Sequence, residues 1–346
     1  MTRLRTVRLL VALGCTFAFT MLTACDREPS KKPTQASGST SSGGQATGVV
    51  VSNGGRKLTF EHVPQRIITT GQGPAELLLK LGVGKSIVGI YYGAQQPVDP
   101  AIAVPFRELT SLSTDAPPSK EVVLPLKPDL VLSAFPTMDF DSSRGGATID
   151  DFAKVGSQVF GYTATSCKPS EATFEMFLSD VADIGKILRV EQTAQQLVEE
   201  CRSRIAAVRQ RVAGREKVKL VICFSASDQM LGVFGAGLLN DLVDAAGGTN
   251  VYSHEDATMV NASKEDFAQR VIEVYVIPDL PAVPSMRADS SAAWLFKTFP
   301  QTEASKRRRF VGIGVEKLNV GYRNVEFVEE LARSLHPEAF AESGKP

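Results

Sequence analysis

Two stretches of this chain alternate short apolar, strand-like runs with amphipathic, helix-like runs, and between them residues 170–212 show helical periodicity and no strand signal. Alternation of this kind builds parallel sheets whose faces are covered by crossover helices. The fold class it predicts is α/β, with two parallel-sheet lobes at residues 48–167 and 214–346 and a helical connector at 168–213. Within the connector Val190, Ala194, Leu197, Val198, Cys201, Ile205, Val208 and Val212 fall at helical spacing and form one apolar stripe.

In the first lobe, residues 49–51 and 57–60 around Asn53-Gly54-Gly55 read as a hairpin with an Asn-Gly turn. Residues 66–70 read as a strand, followed by a helix opening at Pro74 with Glu76 in its first turn, where a proline and an acid suit a helix start, and ending at Gly82. Strands at 87–90, 129–134 and 158–160 and helices at 121–126 and 149–155 complete this lobe. The second lobe reads as strands at 218–224, 271–277 and 309–313 with helices at 238–246, 265–270 and 324–335.

Ahead of the lobes, Arg3, Arg5 and Arg8 precede an apolar run from 9 to 24 that ends in Leu22-Thr23-Ala24-Cys25. A basic start, a short apolar run and small residues before a cleavage point form a signal peptide, and the run is shorter than the ~20 residues of a spanning helix. The cysteine makes it a lipobox: residues 1–25 are expected to be a lipoprotein signal, with Cys25 carrying the lipid and starting the mature chain. Residues 26–47 are Ser, Thr, Gly, Pro, Gln and Ala with a few charges and no large apolar side chain, the composition of a flexible tether. The expected location is therefore extracytoplasmic, held to the membrane by lipid.

The 38 basic residues balance the 38 acidic ones, which argues against a nucleic-acid partner. Cys223 lies in an apolar run and reads as a buried thiol, while Cys167 and Cys201 are too few to define a disulfide framework and their pairing stays open. His62, His254 and His336 have no ligand spacing, so no metal site is expected. Nucleophile elbows, Walker loops and zinc-protease motifs are all lacking. Gly71-Gln72-Gly73 fails the dinucleotide pattern at its third glycine, so no catalytic residue, cofactor or enzymatic activity is expected. An exported enzyme or a structural lipoprotein on the same scaffold is the alternative from another class.

Each lobe also carries a Ser-Lys-Glu tripeptide opening a short helix before a strand, Ser119-Lys120-Glu121 and Ser263-Lys264-Glu265, the latter with Asp266 in a capping-box pattern. Val63-Pro64-Gln65-Arg66-Ile67-Ile68 with Ala75-Glu76-Leu77-Leu78, the run from Glu121 through Lys127-Pro128-Asp129-Leu130-Val131, and the helix ending Gly247-Gly248-Thr249-Asn250-Val251 together resemble the periplasmic binding proteins for ferric siderophores, haem and cobalamin. The resemblance covers about residues 48–337. It implies the class III fold, two lobes joined by a long rigid helix with a ligand cleft between them. It also implies that Glu121 and Glu265 dock a monomeric protein onto the permease dimer of an ABC importer.

The implied ligand is a small-molecule metal chelate: an iron chelate, a ferric siderophore first, with haem or cobalamin as alternatives. The polar loop 142–146 is longer than cobalamin binders tend to have, and Gln269-Arg270 stands where the family often has Pro-Asp. Open parallel sheets bind ligands at the carboxyl ends of their strands. That rule selects Tyr91, Tyr92, Phe135, Arg144 and residues 228–230, with Trp294 and Arg323 as later candidates, since arginine forks and flat rings suit bulky anionic chelates.

Overall fold

The computed structural model describes residues 48–341 except 94, 95, 115, 284 and 285. The expected signal, Cys25 and the tether 26–47 lie outside the described residues. Strands β1 (Val49–Asn53) and β2 (Arg56–Phe60) form the antiparallel hairpin, with Asn53 opposite Arg56. Gly54 and Gly55 take φ of 56° and 72° between them, the doubly positive turn that matches strand twist. The Asn53 carboxamide then docks the hairpin: its Nδ2 donates to the Gly161 carbonyl at 2.8 Å and its Oδ1 accepts from Gly161 N–H at 2.9 Å.

The first lobe is a four-stranded parallel sheet of β3 (Ile67–Thr70), β4 (Ile87–Tyr91), β5 (Leu130–Ser133) and β6 (Gln158–Gly161), in the order β4-β3-β5-β6. Every residue of β3 and β5 is buried, as central strands covered on both faces require. The register sets Thr70 level with Tyr91 and Ser133, and Ser133 level with Gly161, so the carboxyl ends of the strands form one edge. The helix after β3 runs from Gln72 to Lys80, starting two residues before Pro74, because Gly71 at φ 89° turns the chain directly out of the strand.

The connector holds the long helix Glu191–Val212, preceded by a first helix, Phe174–Leu188. Arg189, at φ 57°, ends the first and reverses the chain. Ala194, Leu197, Val198, Cys201, Ile205, Val208 and Val212 are the buried positions of the second helix, the same stripe the spacing predicts. The first helix is fastened at both lobes. Asp180 accepts from Thr163 N–H and Oγ1 at 2.7 Å each, and the helix N-terminus at Phe174 donates to Asp241 at 2.7 Å.

The second lobe contains β7 (Val218–Ala226), β8 (Leu231–Phe234), β9 (Gly248–Asn250), β10 (Met259–Asn261), β11 (Val274–Asp279) and β12 (Phe310–Gly314). β11 and β12 continue the sheet in parallel from one edge of β7, whereas its other edge pairs with the parallel β9 and with the antiparallel β8, to which β10 adds. This sheet is thus mixed, and the helix Ala288–Thr298 is a further element the sequence did not signal. One apolar cluster runs from Leu77 in the first lobe through Val198 in the connector to Leu242 and Leu331 in the second. Cys167, Cys201 and Cys223 are free thiols, the last two buried. Among the described residues no helix is long and apolar enough to cross a membrane.

Candidate functional site

At the carboxyl ends of β3, β4 and β5 a cleft of about 240 Å³ opens, lined by Thr70, Gln72, Tyr92, Gln96 and Phe135 of the first lobe and by Asn319 of the second, among others. Its wall is organised by a residue that does not line it. Asp139, 3% exposed, accepts from Thr70 Oγ1 at 2.5 Å, Ser133 Oγ at 2.7 Å, Tyr92 Oη at 3.2 Å and Phe135 N–H at 3.4 Å. One carboxylate therefore ties together the ends of three neighbouring strands and fixes both aromatic residues of the wall. Tyr92 sits at φ 61°, the first residue beyond β4. Its phenol is pushed up to about 12, by burial first and then by the Asp139 charge beside it.

The two lobes touch at the floor of the cleft. Asn319 Nδ2 donates to Gln96 Oε1 at 2.9 Å, Tyr322 Oη donates to Asp99 at 2.7 Å, and Arg323 Nη1 donates to the Pro97 carbonyl at 2.8 Å. Arg323 also lies 3.8 Å from Glu76 of the first lobe, 3.4 Å from Glu316 and 3.3 Å from Glu326. Burial raises the Glu76 carboxyl above its usual range, against the pull of the Gln72 amide and of Arg323.

Of the residues expected at the cleft, Tyr92 and Phe135 line it. Tyr91 does not: the last residue of β4, it is buried in the apolar cluster that holds Ile68, Val131 and Phe152, with its ring edge-on to that of Tyr92 at 6.1 Å. Arg323 is buried, and its fork is occupied by carboxylates and a carbonyl, so it joins the lobes and offers the cleft no free guanidinium. Arg144 is exposed in the short turn Ser142–Arg144, outside the lining, though its charge lowers the Tyr92 phenol slightly. Trp294 is also outside the lining. Its Nε1 donates to Asp228 at 3.2 Å and Lys264 Nζ sits over its ring at 5.4 Å, forming a rim cluster at the end of β7.

Glu121 and Glu265 are both exposed. Lys264 lies 3.6 Å from Asp228, just past β7, which places the start of the helix Lys264–Gln269 at the carboxyl-end edge of the sheet. Ser119 bridges Gly146, in the loop that follows β5, which places the helix Lys120–Val123 likewise. Ser263 Oγ caps its helix by accepting from Asp266 N–H at 3.0 Å, but the reciprocal arm of a capping box is missing because the Asp266 carboxylate is taken by Tyr252 and Arg270. Ser119 makes no cap of that kind. Its hydroxyl instead bonds Glu121 and holds that carboxyl below its usual range.

Two α/β lobes, fastened through a connector and meeting around a polar cleft at the carboxyl ends of their strands, define a solute-binding protein of the two-lobe kind. The chain belongs to the periplasmic binding protein family, whose model matches residues 67–279, more than half of its length. It is 22% identical over 289 residues to the ABC transporter substrate-binding lipoprotein YvrC of Bacillus subtilis, covering 82% of this chain and 84% of that one. Its identity to a cobalamin-binding protein of Halobacterium salinarum is also 22%, over 81% of this chain and 71% of the relative. A periplasmic binding protein from Veillonella parvula superposes with a TM-score of 0.75 at 19% identity, over 85% of this chain and 99% of that structure.

Proposed function

We propose that this chain is a lipid-anchored, extracytoplasmic solute-binding protein that holds a metal chelate, a ferric siderophore before haem, in the inter-lobe cleft and delivers it to the permease of an ABC importer. The observation that carries the reading is the cleft itself: a ring-bearing, amide-lined wall at the carboxyl ends of the first sheet, closed on one side by residues of the second lobe. Delivery is proposed to proceed through Glu121 and Glu265, exposed at the corresponding edges of the two lobes.

Among the described residues Tyr92 is the one phenol in the lining, and its state bears on how iron would be held. A tyrosinate ligand would have to give up the proton that Tyr92 donates to Asp139, from a group pushed up to about 12. This favours a chelate whose metal is already fully coordinated, packed against the ring. Adding haemin to the protein tests the point: the expected spectrum has no tyrosinate band, and a band that Tyr92→Phe abolishes would reverse the ranking in favour of haem. A corrinoid is the second reading, favoured by the name of the Halobacterium salinarum relative and by the amides of Gln72, Gln96 and Asn319 in the lining.

A further inference from the structure

None of the described residues lining the cleft carries a charged side chain. The charges stand one layer behind it, and most are negative. Asp139 underlies Tyr92 and Phe135, and all of its hydrogen-bond partners are neutral donors. Behind Gln72, Glu76 accepts from its Nε2 at 2.7 Å, and the guanidinium there, Arg323, is shared among Glu76, Glu316 and Glu326. Asp99 lies in the same floor with Lys80 as a nearby cation, and Arg144 is an exposed cation near Tyr92. Arg323, Lys80 and Arg144 are thus set against Asp139, Glu76, Asp99, Glu316 and Glu326.

The hydrogen-bond directions point the same way. Tyr92 and Thr70 send their hydroxyl protons inward to Asp139. Gln72 spends its amide protons on Glu76 and on the Pro97 carbonyl at 3.1 Å, while its Oε1 is buried with no partner. Those protons are therefore not offered to the cleft, and a ligand that supplies its own N–H or O–H groups suits it better than one that only accepts.

We infer that the cleft selects a chelate that carries no net negative charge and donates hydrogen bonds, and that Asp139 sets this preference. The inference rests on reading the cleft as a chelate site and adds the sign of the charge to it. A unit negative charge on the ligand held some 7 Å from a fixed carboxylate, at an effective dielectric near 20, loses roughly tenfold or more in affinity. A polyanionic chelate is disfavoured several times over.

The test titrates the full chain, by calorimetry and native mass spectrometry, with a ferric tris-hydroxamate of charge zero or +1, cyanocobalamin, a ferric tris-catecholate trianion and haemin with its two propionates. One of the first two is expected to bind at least ~10-fold more tightly than either anion. Residual affinity for the anions should rise with added salt, because screening weakens repulsion. Asp139→Asn should narrow the gap by roughly tenfold, and Gln72→Glu, which adds a charge to the lining itself, should widen it, so that the inference stays testable if the Asp139 variant does not fold. An anion that binds the unaltered protein most tightly, or whose affinity falls with salt, overturns the inference and leaves the chelate reading intact. A gap unmoved by either variant also overturns it, whereas binding of none of the four probes removes the chelate reading and the inference together.

Discussion

Arg323 of the second lobe and Glu76 of the first lie 3.8 Å apart, and both side chains are nearly excluded from solvent. Because Glu316 and Glu326 flank the same guanidinium, removing it would leave carboxylates facing one another in a region with little water. Breaking a buried ion pair by deleting one partner costs roughly 3–5 kcal/mol. Arg323→Met is therefore expected to destabilise the chain on that scale in urea unfolding. Adding Glu76→Gln should recover part of the loss, since it removes one of the stranded charges. A single variant as stable as the parent would show that the cluster is not holding the lobes together.

The connector offers a steric test. A Cβ built on Gly185 would stand 2.4 Å from Ala194 Cβ, so the two connector helices approach each other more closely than any side chain at 185 allows. Gly185→Ala would ordinarily gain from helix propensity, by up to about 1 kcal/mol. Here overpacking should win and destabilise the protein by roughly 1–3 kcal/mol. Ala194→Gly in the same chain should restore part of it. Thermal unfolding of the single and double variants decides between the two effects, and a stabilised Gly185→Ala would mean that the helices separate without cost.

The connector stripe and the helix Asn324–Leu335 could be read from the sequence because burial there follows a 3.6-residue period, with Val325, Val328, Leu331, Ala332 and Leu335 on one face. β8 and β10, of four and three residues, are too short to show a period, and Gly232 in β8 lies against the Phe224 ring where a side chain would clash. Asp139 is not legible in the sequence because its partners Thr70 and Tyr92 lie 69 and 47 positions away, and only the strand order makes them neighbours. Arg323 has the chemistry of a ligand fork, but a free arginine and one buried among glutamates look the same in one dimension.

Asp180 supplies a pH prediction. Burial raises its carboxyl to about 7 from the ordinary 3.8, although two donors from Thr163 pull the other way. Between roughly pH 4 and pH 7 the folded state then keeps a proton that the unfolded state has lost. Asp180's contribution is complete at low pH and is lost as pH rises through 7, with a slope approaching about 1.4 kcal/mol per pH unit. Asp180→Asn mimics the protonated form and should flatten the decline in stability between pH 5 and pH 7. Parallel stability curves for the parent and the variant would show that the buried carboxyl titrates normally.

The proposed docking of Glu121 and Glu265 is tested by reversing their charges. Both acids are exposed, and each opens a short helix that starts at the carboxyl-end edge of its own lobe, the edge on which the cleft opens. Neither lines the cleft, so changing them should leave chelate affinity within about twofold of the parent. A permease that recognises a protein whose lobes are tied together must find fixed points on it, and two separated charges provide them. Rim charges act mainly on encounter with a partner and on its salt dependence, and a like charge placed at a docking point repels. Glu121→Arg and Glu265→Arg are therefore expected to cut chelate uptake at least ~10-fold in cells carrying the matching importer, while ligand binding in solution persists. The helix start at Ser263 supplies a control for folding, because Ser263 caps its helix through Asp266 N–H whether or not Glu265 is present. Variants that fold, bind chelate and are taken up at the parental rate would mean that these glutamates are ordinary solvated acids and that the permease docks elsewhere.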